Sequence, residues 1–293
     1  MKQFLFMILL LILLLIFHDS VISGTQNGLL LWYQTLIPSL LPFILVTNAM
    51  SETNAYHSIA KHFNKSNSGK VYELLALILG NLCGYPIGGK ILNDFVKNDC
   101  ISIKRANQLL PLASQASPMF ILGYVYNHIL QKELPLSIFL ISIYLPTILY
   151  YLSVYIFTPK DSYQSHCIST LKINIKDTFL RAVEIMVMIG LYVIIFSILL
   201  DILLPFFKSM QSKIILSFLE ITTGLSLLKS LPLTKAFQTA ILCGLCSFGG
   251  FCSAFQVNSV LEYENANIKK YLLDKCALST GTFLIIYIYK VGY

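Results

Sequence analysis

Charged side chains in this chain are gathered into short clusters, and between them lie long stretches without an Asp, Glu, Lys or Arg. Such stretches occupy 29–50, 74–89, 106–131, 134–158, 185–200 and 236–261. About 20 apolar residues in a helix match the thickness of a bilayer's hydrocarbon core. Of the 293 residues, 56% are hydrophobic and only 12% charged, against about 25% charged in an average soluble protein. That surface excludes an ordinary soluble enzyme, a disordered chain and a nucleic-acid-binding domain. The fold class expected is an all-α polytopic membrane protein with about eight hydrophobic segments and discontinuous helices. The net charge of +7 is spread along the chain, and such an excess belongs to cytoplasmic loops. The bilayer is the partner expected, and nucleic acid is not.

Residues 4–17 are an unbroken apolar run after Lys2, read as a retained membrane helix in preference to a signal-peptide core. The run at 29–50 carries Pro38 and Pro42 and reads as a kinked helix. Residues 51–70 form a polar loop with Lys61, Lys65 and Lys70, placed in the cytoplasm. Residues 74–89 are interrupted by Gly80, Gly84, Pro86, Gly88 and Gly89, which predicts a re-entrant or broken helix. Residues 106–131 are broken at Ser114-Gln-Ala-Ser-Pro118, 134–158 read as a spanning helix, and 159–177 as a polar loop. The later part repeats this order: a long helix around 185–200, a short segment 214–228 with Glu220 near its centre, a broken run 236–261 and a last helix 271–289. The organisation expected is an N-terminal helix and loop (1–28), a first repeat (29–158), a linker (159–176) and a second repeat (177–293).

Short or Gly/Pro-interrupted segments at matching places in two halves point to a transporter binding site. Inside a bilayer, unpaired backbone is tolerated only against protein or a watery cavity. The freed N–H groups at half-helix N-termini favour anions.

Gly84-Tyr-Pro-Ile-Gly-Gly-Lys90 is the tightest cluster. Its glycines would let a solute approach the backbone at Gly84 and Gly88, and Pro86 would break the helix. Lys90 either snorkels to the interface or stands as counter-charge to an anionic solute. Glu220 is a carboxylate among apolar residues and a functional candidate by default; the other reading is that it caps a half-helix or pairs with a lysine. Thr222 and Thr223 follow it. Ser114, Gln115, Ser117, Ser247 and Gln256 offer neutral hydrogen bonds in mid-membrane, and Gly249 and Gly250 break the second long run. Each polar group alone reads as interhelical glue; as two matched clusters they become candidate substrate-binding residues.

Cys243-x-x-Cys246 is read as helix packing rather than as a metal or redox site, since no His–Cys cluster accompanies it. There is no Walker A motif, G-x-S-x-G or H-E-x-x-H. No catalytic residue, metal site or bound cofactor is expected. A coupling cation, sodium or proton, is left open, as is the oligomeric state.

At these same residues the chain resembles a known family. Gly84-Tyr-Pro-Ile-Gly-Gly-Lys90, Ser117-Pro-Met-Phe-Ile-Leu-Gly123, Leu219-Glu-Ile-Thr-Thr-Gly224 and Ser247-Phe-Gly-Gly-Phe251 with Gln256 look like the sporulation integral membrane protein YlbJ (SpoVV) family, and so do Pro38-Ser-Leu-Leu-Pro-Phe43 and Gly190-Leu-Tyr-Val-Ile-Ile-Phe196. The likeness runs from about residue 28 to 285. It implies nucleoside-recognition or gate domains, two inverted repeats with re-entrant hairpins, and a distant relation to concentrative nucleoside transporters. It also implies a role in endospore formation, moving dipicolinic acid across the mother-cell-derived outer forespore membrane. Two features depart from the pattern: the family more often shows Gly-Ala-Lys where this chain has Gly88-Gly89-Lys90, and this chain is shorter than typical members.

The expectation is a secondary transporter of a small organic anion, with dipicolinate first. The alternatives are a nucleoside or other neutral-solute carrier on the same scaffold, and a non-transporting membrane factor in spore envelope assembly.

Overall fold

The computed structural model describes residues 1–53, 55–63, 68–157 and 175–292. These form helices, with no strand among the described residues. In chain order the helices are α1 (Lys2–Ile16), α2 (His18–Leu31), α3 (Ile37–Glu52), α4 (Ala55–Phe63), α5 (Ser68–Cys83), α6 (Ile87–Lys97), α7 (Ile103–Ala113), α8 (Leu136–Phe157), α9 (Ile175–Leu203), α10 (Met210–Ser217), α11 (Ile221–Ser230), α12 (Lys235–Phe248), α13 (Gly250–Ser259) and α14 (Ile268–Gly292). A π-helical turn, Trp32–Leu36, joins α2 to α3, and a longer π segment, Phe120–Ile129, follows α7. Five helices are long and apolar enough to cross a membrane: His18–Met50, Leu136–Ile156, Thr178–Leu203, Lys235–Ser259 and Ile268–Gly292. The chain is a multi-pass, all-α membrane protein.

The apolar run near the N-terminus is helical, and most of its side chains are exposed. The run with Pro38 and Pro42 is part of one 33-residue helical stretch, with the π turn inside it. Pro38 lies in the first turn of α3, where a missing N–H costs little. The polar stretch after it, expected to be a loop, holds helix α4; Lys65 lies outside the described residues. The expected linker 159–176 lies outside them too, apart from the first residues of α9.

Two interfaces set the outer frame. α2 packs along α9 through Gly24 and Gly28, one helical turn apart. A Cβ on Gly24 would stand 2.6 Å from the Ile198 Cα, and one on Gly28 would stand 2.7 Å from the Ile194 Cα. Small residues four apart let two backbones meet in this way. The Trp32 indole N–H donates to the Met186 carbonyl at 2.8 Å, and its ring lies over Gly190. α14 packs along α12, where the Ser279 hydroxyl donates to the Gly244 carbonyl at 2.7 Å.

Inside this frame sit four interrupted pairs: α5 with α6, α7 with the π segment, α10 with α11, and α12 with α13. Their breaks are those expected from the glycine, proline and serine clusters. α12–α13 is deeply enclosed, with 89% of its apolar window buried.

Candidate functional site

The four breaks converge. α5 and α6 are joined by Gly84, Tyr85 and Pro86. Gly84 has φ +81°, a conformation that glycine adopts without strain, and it turns the chain against Ser117 in the break after α7. Gly88 and Gly80 both face Ala113: a Cβ on Gly88 would lie 1.9 Å from the Ala113 carbonyl oxygen, and one on Gly80 would lie 2.3 Å from it. The α5–α6 hairpin can nest on the end of α7 only because both positions lack a side chain. Gly249, at φ +91°, ends α12 in the left-handed conformation. A Cβ there would stand 2.3 Å from the Tyr85 hydroxyl oxygen.

α10 and α11 break at Glu220. Its side chain is buried, 2% exposed, and caps α11. One carboxylate oxygen accepts from the Thr222 N–H at 3.0 Å; the other accepts from the Thr223 N–H and the Thr223 hydroxyl, both at 2.8 Å. A carboxylate at a helix N-terminus meets both the unsatisfied N–H groups and the positive end of the helix dipole. The N-terminus of α13 is satisfied by backbone, with Phe251 N–H donating to the Phe218 carbonyl and Cys252 N–H to the Leu219 carbonyl, each at 2.8 Å. Ser117 accepts the Phe120 N–H at 3.3 Å. The half-helix N-termini that the sequence offered to an anion are thus largely taken up by the protein's own oxygens.

Between the breaks lies a narrow cleft of about 50 Å³. Of the residues singled out from sequence, Gly84, Ser117, Glu220, Gly249 and Gln256 line it, together with Ser39 and Tyr85. Pro86 lines a smaller cavity beside it, which Gln256 also borders. Thr222 and Thr223 hold Glu220 from behind. Gly250 packs on the Ile221 N–H and the Glu220 backbone, and Gly88 on Ala113. Lys90, in the first turn of α6, donates to the buried Asn48 amide oxygen on α3 and is not on the cleft wall.

Ser114 and Gln115 lead to a residue of α14 that the sequence pattern did not single out. Lys275, on α14, is fully buried at 0% exposure. Its ammonium donates to the Ser114 carbonyl at 3.2 Å, the Gln115 side-chain oxygen at 3.0 Å and the Tyr85 hydroxyl oxygen at 3.2 Å. It also stands 5.2 Å from the centre of the Tyr85 ring. All of these partners are neutral, and no carboxylate lies within ion-pair distance of Lys275 among the described residues. The hydroxyls of Ser114 and Ser247, both fully buried, have no hydrogen-bond partner among the described residues. By contrast, the other buried cation, Arg105, is paired with Glu73 through two bonds of 2.8 and 2.7 Å, joining α7 to α5.

The signal that could have found Lys275 is periodic. Tyr271, Lys275, Leu278, Ser279, Thr282 and Ile286 form the buried stripe of α14, at helical spacing. Cys243 and Cys246 are buried in α12 as free thiols.

No family model matches the chain, and no solved structure matches it. Over 91% of its length it is similar to the sporulation integral membrane protein YlbJ of Bacillus subtilis (strain 168), with 20% identity and 76% of that protein covered. The chain is YlbJ-like.

Proposed function

We propose that this YlbJ-like chain is a secondary carrier of a small organic solute in a sporulation-associated membrane, and that its cleft is the solute site. The carrying observation is the convergence of four broken helices on one cleft walled by Ser39, Ser117, Glu220 and Gln256. In a bilayer, helix ends are left unwound only where protein or a watery cavity receives them. A non-transporting envelope factor has no need of such a cavity. The similarity to a protein named for sporulation supports the setting, and the buried Lys275 supports an anion over a neutral solute. Dipicolinate is the first candidate, a nucleoside the second; the outer forespore membrane is the proposed location, and the chain is not an enzyme. Two inverted repeats with re-entrant hairpins are the architecture this reading uses.

The test is uptake into proteoliposomes holding the purified chain, with labelled dipicolinate and labelled uridine in parallel, each with and without a sodium or proton gradient. Time-dependent dipicolinate accumulation above protein-free vesicles is the expected result. Uridine accumulation alone would move the assignment to the neutral-solute reading. No flux of either would favour the envelope-factor reading.

A further inference from the structure

We infer that Lys275 and Tyr85 form a carboxylate-reading pair on the cleft wall, with Tyr85 making the contact and Lys275 supplying the charge behind it. This rests on the reading of the cleft as a solute site and deepens it by naming the group recognised. Lys275 donates to the Tyr85 oxygen, so the Tyr85 hydroxyl acts as acceptor on that side. Its own O–H has no acceptor among the described residues, although Tyr85 is 92% buried and lines the cleft. A phenol that accepts from an ammonium becomes a stronger donor, because successive hydrogen bonds polarise one another. Its natural complement is an anionic oxygen, and a charge-assisted bond of this kind is about twice as strong as a neutral one.

The charge balance of the cleft points the same way. Glu220 is the carboxylate on the wall, and its charge is answered by three donors and the N-terminus of α11. Lys275 meets only neutral oxygens, on Tyr85, Ser114 and Gln115, so its ammonium form gains a counter-charge only when an anion binds beside it. An isolated charge in a low-dielectric interior costs several kcal/mol unless it is paired. A carboxylate bound at Tyr85 supplies the missing counter-charge. The unpartnered Ser114 hydroxyl is a further donor beside the lysine among the described residues, and Gly249, lacking a side chain, lets the Tyr85 hydroxyl sit against the break between α12 and α13 at the cleft wall.

The test is direct binding to the purified full chain in nanodiscs, by calorimetry. The probes are pyridine-2,6-dicarboxylate and its uncharged diamide, which have nearly the same shape. Lys275→Gln should weaken dicarboxylate binding by about tenfold or more and change diamide binding by less than about twofold. Lys275→Arg should retain most of the dicarboxylate affinity. Tyr85→Phe keeps the ring and removes the donor, and should show the same selective loss; it decides the matter if Lys275→Gln does not fold. Dicarboxylate binding unchanged in the variants, or lost in step with diamide binding, overturns the inference. A wild-type chain that binds the diamide or uridine but not the dicarboxylate overturns it while leaving the carrier reading in place. Lys275-dependent dicarboxylate binding in a chain that moves nothing in proteoliposomes supports the inference and removes the carrier reading.

Discussion

Glu220 and Lys275 show how differently two membrane charges are written into one sequence. Glu220 stands alone among apolar residues, so its burial was legible, and of its two readings the capping one describes its contacts. Removing that cap leaves two backbone N–H groups without an acceptor. Glu220→Ala should lower stability by about 1–3 kcal/mol, read as a fall in thermal unfolding temperature of the detergent-purified chain; an unchanged temperature would mean that the cap contributes nothing. Glu220→Gln keeps one oxygen acceptor and should fall less. Lys275 was obscured by its neighbour. Asp274-Lys275 reads as a charged pair at a helix edge, yet adjacent helical residues point about 100° apart. Asp274 accordingly turns to the Tyr150 hydroxyl on α8 at 2.7 Å, while Lys275 faces inward. Lys90 looked more exposed to chemistry than it is, because sequence shows the glycines beside it but not Asn48, which comes to it from α3.

At the scale of elements, the breaks were the most legible part of the fold. Gly84 to Pro86, Ser114 to Ser117, Glu220 and Gly249 interrupt apolar runs with residues that do not suit a helix interior, and the chain turns at each. What the pattern did not carry was how the N-termini so exposed would be satisfied. Carbonyls of Phe218 and Leu219 meeting the N–H groups of Phe251 and Cys252 are a tertiary fact with no local signature. The α2–α9 contact is present in sequence as Gly24-x-x-x-Gly28, but that stretch lies in a mixed polar region with no long apolar run to mark it as a membrane helix. Its close approach makes a sharp prediction. Gly28→Leu puts a branched side chain where the Ile194 Cα stands 2.7 Å from a bare Cβ, so the α2–α9 contact should open. Protease susceptibility of the segment between α1 and α3 in the purified variant should rise, and the unfolding temperature should drop by several degrees. A variant as resistant and as stable as wild type would show that α2 does not dock on α9.

At the scale of the molecule, low charge content decided the class, and the order of segments foretold the number and place of the broken helices. Neither fixed how the broken segments close on one another, since the cleft is made by contacts between residues apart in sequence: Tyr85 with Lys275, Gly84 with Ser117, Gly249 with Tyr85. Those contacts put the polar breaks of both halves around one space, and the central claim is that a small solute occupies it. Ser39 lines that space from α3, and among the described residues its hydroxyl bonds only to carbonyls of the preceding π turn, Thr35 at 2.6 Å and Leu36 at 3.2 Å. Ser39→Phe therefore fills the cleft while leaving the breaks themselves intact. The deciding measurement is dipicolinate uptake by proteoliposomes of wild type and Ser39→Phe matched for thermal stability. Accumulation by wild type that falls by about tenfold or more in the filled variant is the predicted result. Equal accumulation by both, or no accumulation of either dipicolinate or uridine by wild type, would contradict it.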